Sequence, residues 1–240
     1  MKLISGGNII FNKLIQNSVK NVWLYSGGAV MPLIDCFNNQ KSINYFINTN
    51  EQNLGHSATG YARSLNKPGV CIVTSGPGLT NMITPMLDAQ NDSTPLIVLS
   101  GQVPLNAMGT NAFQEAPATE LTSVFTKWSY SVKKTEELSC VIDKAFNIAM
   151  SGKKGVVHID IPKCVATSSV DLDEQTDIYS MNNSITESIN CETNIRHILK
   201  DEHKNTIKQI MSIVNKSERP VLYIGAGCIH QYNRCATATN

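Results

Sequence analysis

Four short stretches of this chain bring together residue types that do chemistry. Glu51 follows the strand-like run INYFINT (43–49) and opens a helix rich in small residues within TNEQNLGHSATGYARS (49–64), and no lysine or arginine stands between Lys41 and Arg63. A carboxylate in that position is either a solvated acid favoured by a helix N-terminus or an acid kept for hydrogen bonding and proton sharing. His56, five residues on, is more in keeping with a packed or capping helix residue than with a base. TSGPGLTN (74–81) reads as a tight strand-to-helix turn with Pro77 at the first helical position. It lacks the third glycine of GxGxxG, the GK[ST] of a P-loop and the GxSxG of a nucleophile elbow, so neither a nucleotide loop nor a serine nucleophile is indicated. Tyr25-Ser26-Gly27-Gly28 is a strand followed by a turn, and GTNAFQEAP (109–117) is a loop carrying an aromatic, an amide and an acid between glycine and proline. Loops of that composition beside a rigid sheet commonly hold substrate.

The elements that must position these residues follow from hydrophobic pattern. VWLY (22–25), INYFINT (43–49), VCIVTS (70–75), PLIVLSG (95–101) and VVHIDIP (156–162) are short apolar runs that read as strands, and KWSYSVK (127–133) reads as a further one. Helical spacing recurs near 9–20, 53–65, 79–91 and 135–151. Strands apolar on both faces and alternating with helices predict an α/β fold, a doubly wound and mostly parallel sheet with helices on both faces. Ligands of such sheets sit beyond the carboxyl ends of the strands. Glu51, Ser75-Gly76-Pro77-Gly78 and Gly101-Gln102 all fall at those ends, which marks the strand-end rim as the functional edge.

Composition narrows the classes. The 240 residues are 42% hydrophobic and 16% charged with a net charge of +1, a balance that points to neither nucleic acid nor a membrane surface as partner. No apolar run approaches the ~20 residues needed to span a bilayer. Cysteines 36, 71, 140, 164, 191, 228 and 235 form no CxxC pair, and the histidines form no metal-ligand spacing, so no metal site is expected in this chain. The first twenty residues read as an amphipathic helix rather than a signal or transit peptide, which makes the cytosol the expected compartment. From residue 163 the texture turns polar. The organisation expected is a first domain over 1–165, a linker over 166–200, and over 201–240 the beginning of a second α/β domain, incomplete within this sequence, with one helix (HKNTIKQIMSIVNKS) and one strand (RPVLYIGAG).

In order along the chain, YSGGA (25–29), NEQNLGHSATGYAR (50–63), KPGVCIVTSGPGLTN (67–81), DSTPLIVLSGQVP (92–104), GTNAFQEAP (109–117) and HIDIPK (158–163) resemble the N-terminal domain of thiamine-diphosphate enzymes, most closely the acetolactate (acetohydroxyacid) synthase catalytic subunit. The resemblance covers most of residues 20–163. It implies that Glu51 hydrogen-bonds the cofactor's aminopyrimidine ring and promotes its imino tautomer. It implies too that Tyr25, Thr74, Pro77 and Asn81 line that ring. Gln114 would reach toward the reactive region and Gly28 would allow close backbone approach there. Phe113 and Lys163 would border the 2-keto acid substrate, pyruvate being the first. A homodimer, or a partner chain carrying the C-terminal domain, would complete the site, since in this superfamily the cofactor lies between two chains.

The departures from that pattern are specific. Thr49-Asn50 replaces the usual arginine-histidine pair, and Asn111 replaces an acid in the GTDAFQE loop. Lys153 stands where the synthases carry a flavin-binding arginine, keeping the charge without the planar fork. YIGAG (223–227) resembles the opening of the flavin-binding middle domain, which makes Gly225 and Gly227 flavin candidates and FAD a candidate cofactor. The family's Mg2+ and diphosphate are held through a GDG…NN motif, and no GDG occurs in these 240 residues. Three functional readings follow: an acetolactate-synthase-like protein whose C-terminal half is supplied elsewhere, another thiamine-diphosphate decarboxylase or oxidase of 2-keto acids, or a non-catalytic paralogue that binds a full-length synthase.

Overall fold

The computed structural model describes residues 3–38, 40–171 and 201–221, together with 223 and 225. The chain begins with β1 (Leu3–Ser5) and α1 (Gly6–Gln16), then β2 (Asn21–Leu24), a short α2 (Met31–Ile34), β3 (Asn44–Phe46) and α3 (Glu51–Leu65). β4 (Gly69–Val73), α4 (Pro77–Asn91), β5 (Leu96–Gln102), α5 (Ala118–Ser123) and β6 (Trp128–Ser131) follow. α6 (Leu138–Met150), β7 (Val156–Pro162), α7 (Lys163–Thr167) and β8 (Ser169–Asp171) complete the first unit.

Six strands form one sheet in the order β3-β2-β4-β5-β7-β6, every pair parallel. This is the doubly wound sheet that the strand pattern implies. Alternation along each central strand feeds two cores. Val70 and Ile72 of β4, Ile97 and Leu99 of β5, and Val157 and Ile159 of β7 pack with α1 and α6 on one face. Cys71 and Val73, Leu96 and Val98, and Val156 pack on the other face with Leu54 of α3 and Leu79, Met82 and Met86 of α4. Each large aliphatic side chain buried in this way contributes about 1.5–3 kcal/mol. On the first face a partly buried ion pair between Lys13 and Asp143 joins α1 to α6, and Asn17 Nδ2 donates to the same carboxylate at 3.0 Å.

Helix ends follow local chemistry. Ser5 caps α1 by accepting from Asn8 N, and Asn50 caps α3 by accepting from Asn53 N at 2.9 Å. α3 ends at Asn66 in the left-handed region. The first helix runs Gly6–Gln16, earlier than the spacing over 9–20 suggests, because the Ser5 cap sets its start. Three short helices escape the periodic reading. α2 has Pro32 in its first turn, while α5 and α7 begin directly after Pro117 and Pro162. A helix of four to six residues shows no repeat for a periodicity argument to detect.

Secondary structure of the first unit continues past residue 165, through α7 to β8, and β8 pairs antiparallel with β1 (Leu3↔Asp171, Ser5↔Ser169). Residues 172–200, the rest of the expected linker, lie outside the described residues. In the second unit α8 (Asp201–Lys216) is a helix with Ile207, Ile210, Met211, Ile213 and Val214 exposed along it. Of the strand expected over RPVLYIGAG (219–227), residues 219–221, 223 and 225 are described and none of them is in a strand, while the others lie outside the described residues. No helix among the described residues is long and apolar enough to cross a membrane.

Candidate functional site

β4 ends at Val73, and the backbone then turns through Gly76 (φ 58°) into α4, whose first residue is Pro77. A side chain at Gly76 would be strained by that positive φ, and its Cβ would lie 2.6 Å from Gln114 O. β2 ends beside β4, and Tyr25 N donates to Ile72 O at 3.0 Å. There Gly27 approaches Thr74 so closely that a Cβ would lie 2.3 Å from Thr74 Cβ and 2.4 Å from its Oγ1. A Cβ on Gly78 would stand 2.9 Å from Thr74 Cγ2 and 3.6 Å from Glu51 Oε1. The two glycines thus let β2, β4 and the starts of α3 and α4 converge on one small space.

Glu51 is the first residue of α3 and is 7% exposed. Its Oε2 accepts from Asn81 Nδ2 at 2.9 Å, and Oε1 takes no hydrogen bond among the described residues. No cation among them pairs with it. Beside it the Thr74 hydroxyl is buried with no hydrogen-bond partner. A buried hydroxyl without a partner is rare and costs about 1–3 kcal/mol, so its presence calls for a reason. Next to a carboxylate with a free oxygen, it fits a polar ligand that donates to the acid and bonds the hydroxyl.

The structure therefore brings Glu51, Thr74 and Asn81 together, and it joins Gln114 to them through the backbone contact with Gly76. Tyr25 is partly buried against the α3–α4 core, and Pro77 is exposed at the mouth. Gly28 is exposed with open space about it, and Phe113 is 88% exposed at the tip of its loop. Lys163 is exposed at the first turn of α7, just past the carboxyl end of β7. Lys153 precedes β7 and so lies at the opposite edge of the sheet from Glu51. In the second unit Gly225 has nothing within 4 Å of a Cβ, and Gly227 lies outside the described residues. His56 faces outward, its Nδ1 3.8 Å from Asp88.

A second polar group went unread in the sequence. Parallel register pairs Ser100 with Asp160 and places Ser129 and Ser131 beside His158 and Asp160, which gives one face of β5, β7 and β6 a polar stripe. Ser100 Oγ donates to Asp160 Oδ1 at 2.8 Å and lies 2.8 Å from His158 Nε2. Because the one hydroxyl proton goes to Asp160, Nε2 carries the imidazole hydrogen, and Nδ1 accepts from the Thr122 or Ser129 hydroxyl. Burial holds His158 down to about 3. Burial also raises Asp160 to about 6, against the pull of hydrogen bonds from Ser100, Gln102 and Ser131 and the charge of Lys133. Gln102, at the rim end of β5, donates to Asp160 Oδ2 at 3.2 Å and to Ala116 O at 3.0 Å. Only its place at a strand end signalled it beforehand. Among the described residues no group of three or more acidic, histidine or cysteine side chains is arranged to hold a metal ion.

A doubly wound parallel domain with an open buried carboxylate at its strand-end rim is a cofactor-binding domain of the α/β class. Residues 4–121 match the family model described as "Thiamine pyrophosphate enzyme, N-terminal TPP binding domain", and this part of the chain belongs to that family. The chain is similar to the mitochondrial acetolactate synthase catalytic subunit of Saccharomyces cerevisiae, 39% identical over 228 residues that make up 95% of this chain and 32% of the yeast protein. It is similar also to the mitochondrial acetolactate synthase of Schizosaccharomyces pombe (39% identity, 94% of this chain, 33% of that protein). With the chloroplastic acetolactate synthase of Arabidopsis thaliana the identity is 36%, over 94% of this chain and 32% of that one. The chain spans about a third of the length of these curated relatives.

Proposed function

We propose that this chain supplies the pyrimidine-binding side of a thiamine-diphosphate centre of acetolactate-synthase type, which decarboxylates pyruvate and joins the product to a second 2-keto acid. The observation that carries the reading is the pairing of Glu51, buried with one oxygen free, with the unpartnered Thr74 hydroxyl. Thiamine diphosphate, when bound, supplies the electron sink that decarboxylation of a 2-keto acid requires. The protein's part is to hold and orient. Glu51 offers its free oxygen to a ring N–H and keeps a proton there, while Asn81 fixes the carboxylate from the other side. The Thr74 hydroxyl, Tyr25 and Pro77 border the ring, and Gly28 leaves room for it. Phe113 and Gln114 close over the 2-keto acid, and the exposed Lys163 offers charge to its carboxylate.

The diphosphate and its Mg2+ would be held by residues outside these 240, on the C-terminal half of a partner subunit in a homodimer or on a separate chain. FAD is a further proposed ligand, with Lys153 as its candidate contact in the first unit. The test is to co-express this chain with a C-terminal half bearing the GDG…NN motif, supply pyruvate, thiamine diphosphate and Mg2+, and analyse the products. Acetolactate supports the reading. Acetaldehyde or acetate alone points to a decarboxylase or oxidase, and capture of a full-length synthase without turnover points to a binding role.

A further inference from the structure

The loop that carries Phe113 and Gln114 holds a conformation its sequence does not favour. Asn111 (φ 58°) and Gln114 (φ 60°) both occupy the left-handed region, which glutamine, unlike glycine or asparagine, rarely visits. Such backbone persists only where surrounding bonds over-determine it. Two sets of bonds do so here. At the front of the loop the Glu115 carboxylate accepts from Gly109 N and, at 3.0 Å, from Ala112 N, while Glu115 N donates to Ala112 O at 2.9 Å. The Gly109 bond above all, with those of the neighbouring amides, holds this carboxyl below the usual range. At the back of the loop Gln102, 1% exposed, spends its whole amide on fixing the chain. Its Nε2 donates to Ala116 O and to Asp160, and its Oε1 accepts from Val103 N at 2.9 Å. Asp160 is in turn held by Ser100, so the back anchor is continuous with the sheet interior.

We propose that Glu115 and Gln102 are positioning residues for the Phe113–Gln114 tip, the carboxylate setting the front of the loop and the buried amide its back, so that Gln114 is pressed against the Gly76 turn. The inference rests on the function proposed above only for what the tip serves. The placement itself is a property of this chain. The carboxylate of Glu115 bonds within its own loop, and the amide of Gln102 bonds Ala116, Val103 and Asp160, so both act through the loop.

The 240-residue chain is grown with fluorophenylalanine, the Phe113 line is assigned with Phe113→Leu, and amide hydrogen exchange is followed across 109–116. Glu115→Ala should speed exchange at Gly109 and Ala112 by about tenfold and move the Phe113 fluorine line. Gln102→Leu, of similar volume without the hydrogen bonds, should move the same line, and Glu115→Gln, which keeps one acceptor oxygen, should restore part of the protection. Exchange that is as fast in the parent as in Glu115→Ala overturns the proposal, as does a Phe113 line unmoved by both variants. Because Glu115 is on a surface loop, its variants report even if Gln102→Leu fails to fold. In the assembly completed with a C-terminal half, the variants should shift the preference between pyruvate and 2-ketobutyrate more than the response to thiamine diphosphate, and an unshifted preference counts against the role. If the parent assembly turns nothing over, the functional reading falls, and the exchange and fluorine results still decide the clamp.

Discussion

Two groups of buried polar residues share one sheet, and their hydrogen bonding differs. In the interior, both nitrogens of His158 have partners, and Ser100 and Gln102 saturate Asp160. At the rim, Thr74 Oγ1 has none and Glu51 has a single bond from Asn81. A satisfied network rigidifies a fold and asks for nothing further, whereas unsatisfied groups at a strand end are where a ligand completes the bonding. Titratable character alone would have pointed to the other group, since His158 and Asp160, both well shifted by burial, belong to the closed interior.

The largest expected effect separates the two groups by activity. Glu51→Gln, in the assembly completed with a C-terminal half, should lower turnover by about 10²- to 10⁴-fold with the thermal midpoint of the chain unmoved; turnover like the parent's would remove the rim from the chemistry. The next tests exchange one hydroxyl in each group. Ser100→Ala should lose about 1–3 kcal/mol in urea denaturation, because Asp160 and His158 each lose a partner. Thr74→Val, which removes an unpartnered hydroxyl, should hold stability or raise it by up to about 1 kcal/mol while weakening stabilisation by added thiamine diphosphate. Equal losses in the two variants would dissolve the contrast.

A pH series sharpens it further. His158, held at about 3 against an ordinary 6.5, carries a proton in the unfolded chain but not in the fold across that window, so its contribution to stability grows as pH rises through it. Asp160, raised from 3.8 to about 6, carries a proton in the fold but not in the unfolded chain, so its contribution falls over that window. The two oppose each other in the parent. Asp160→Asn should leave the rise from His158 alone, and urea midpoints between about pH 4 and pH 6 should climb more steeply than in the parent. The smallest effect on stability is expected at the loop tip. Phe113 is 88% exposed, so Phe113→Ala should stay within about 0.5 kcal/mol of the parent while altering the choice between pyruvate and 2-ketobutyrate; an unchanged choice would take Phe113 out of the substrate pocket.

The contrast also shows what a sequence can reveal. The apolar runs of β4 and β5 announced themselves because strands buried on both faces leave little polar alternation to confuse. Glu51 was legible because an acid at a strand end, with GPG and then FQE following at the family's spacing, fits one kind of site and few besides. The interior network was not. HIDIP reads like ordinary alternation, and only the pairing of β5 with β7 shows that Ser100 and Asp160 are opposite one another. Lys153 and Lys163 are near neighbours in the sequence, yet β7 stands between them with its full seven residues, roughly 23 Å of extended chain. β1 and β8, three residues each, are too short to read without each other.

That small ribbon has a topological consequence. Since Leu3–Ser5 lies against Ser169–Asp171, the polypeptide comes into the domain and goes out of it at one doorway, and everything between forms a closed excursion. A module built like that can be spliced into a host loop, or rejoined end to end and reopened elsewhere, without dragging its neighbours through the sheet. A short linker from Asp171 back to Leu3, with new termini opened in the exposed turn at Gly152, should give a permuted domain that still folds.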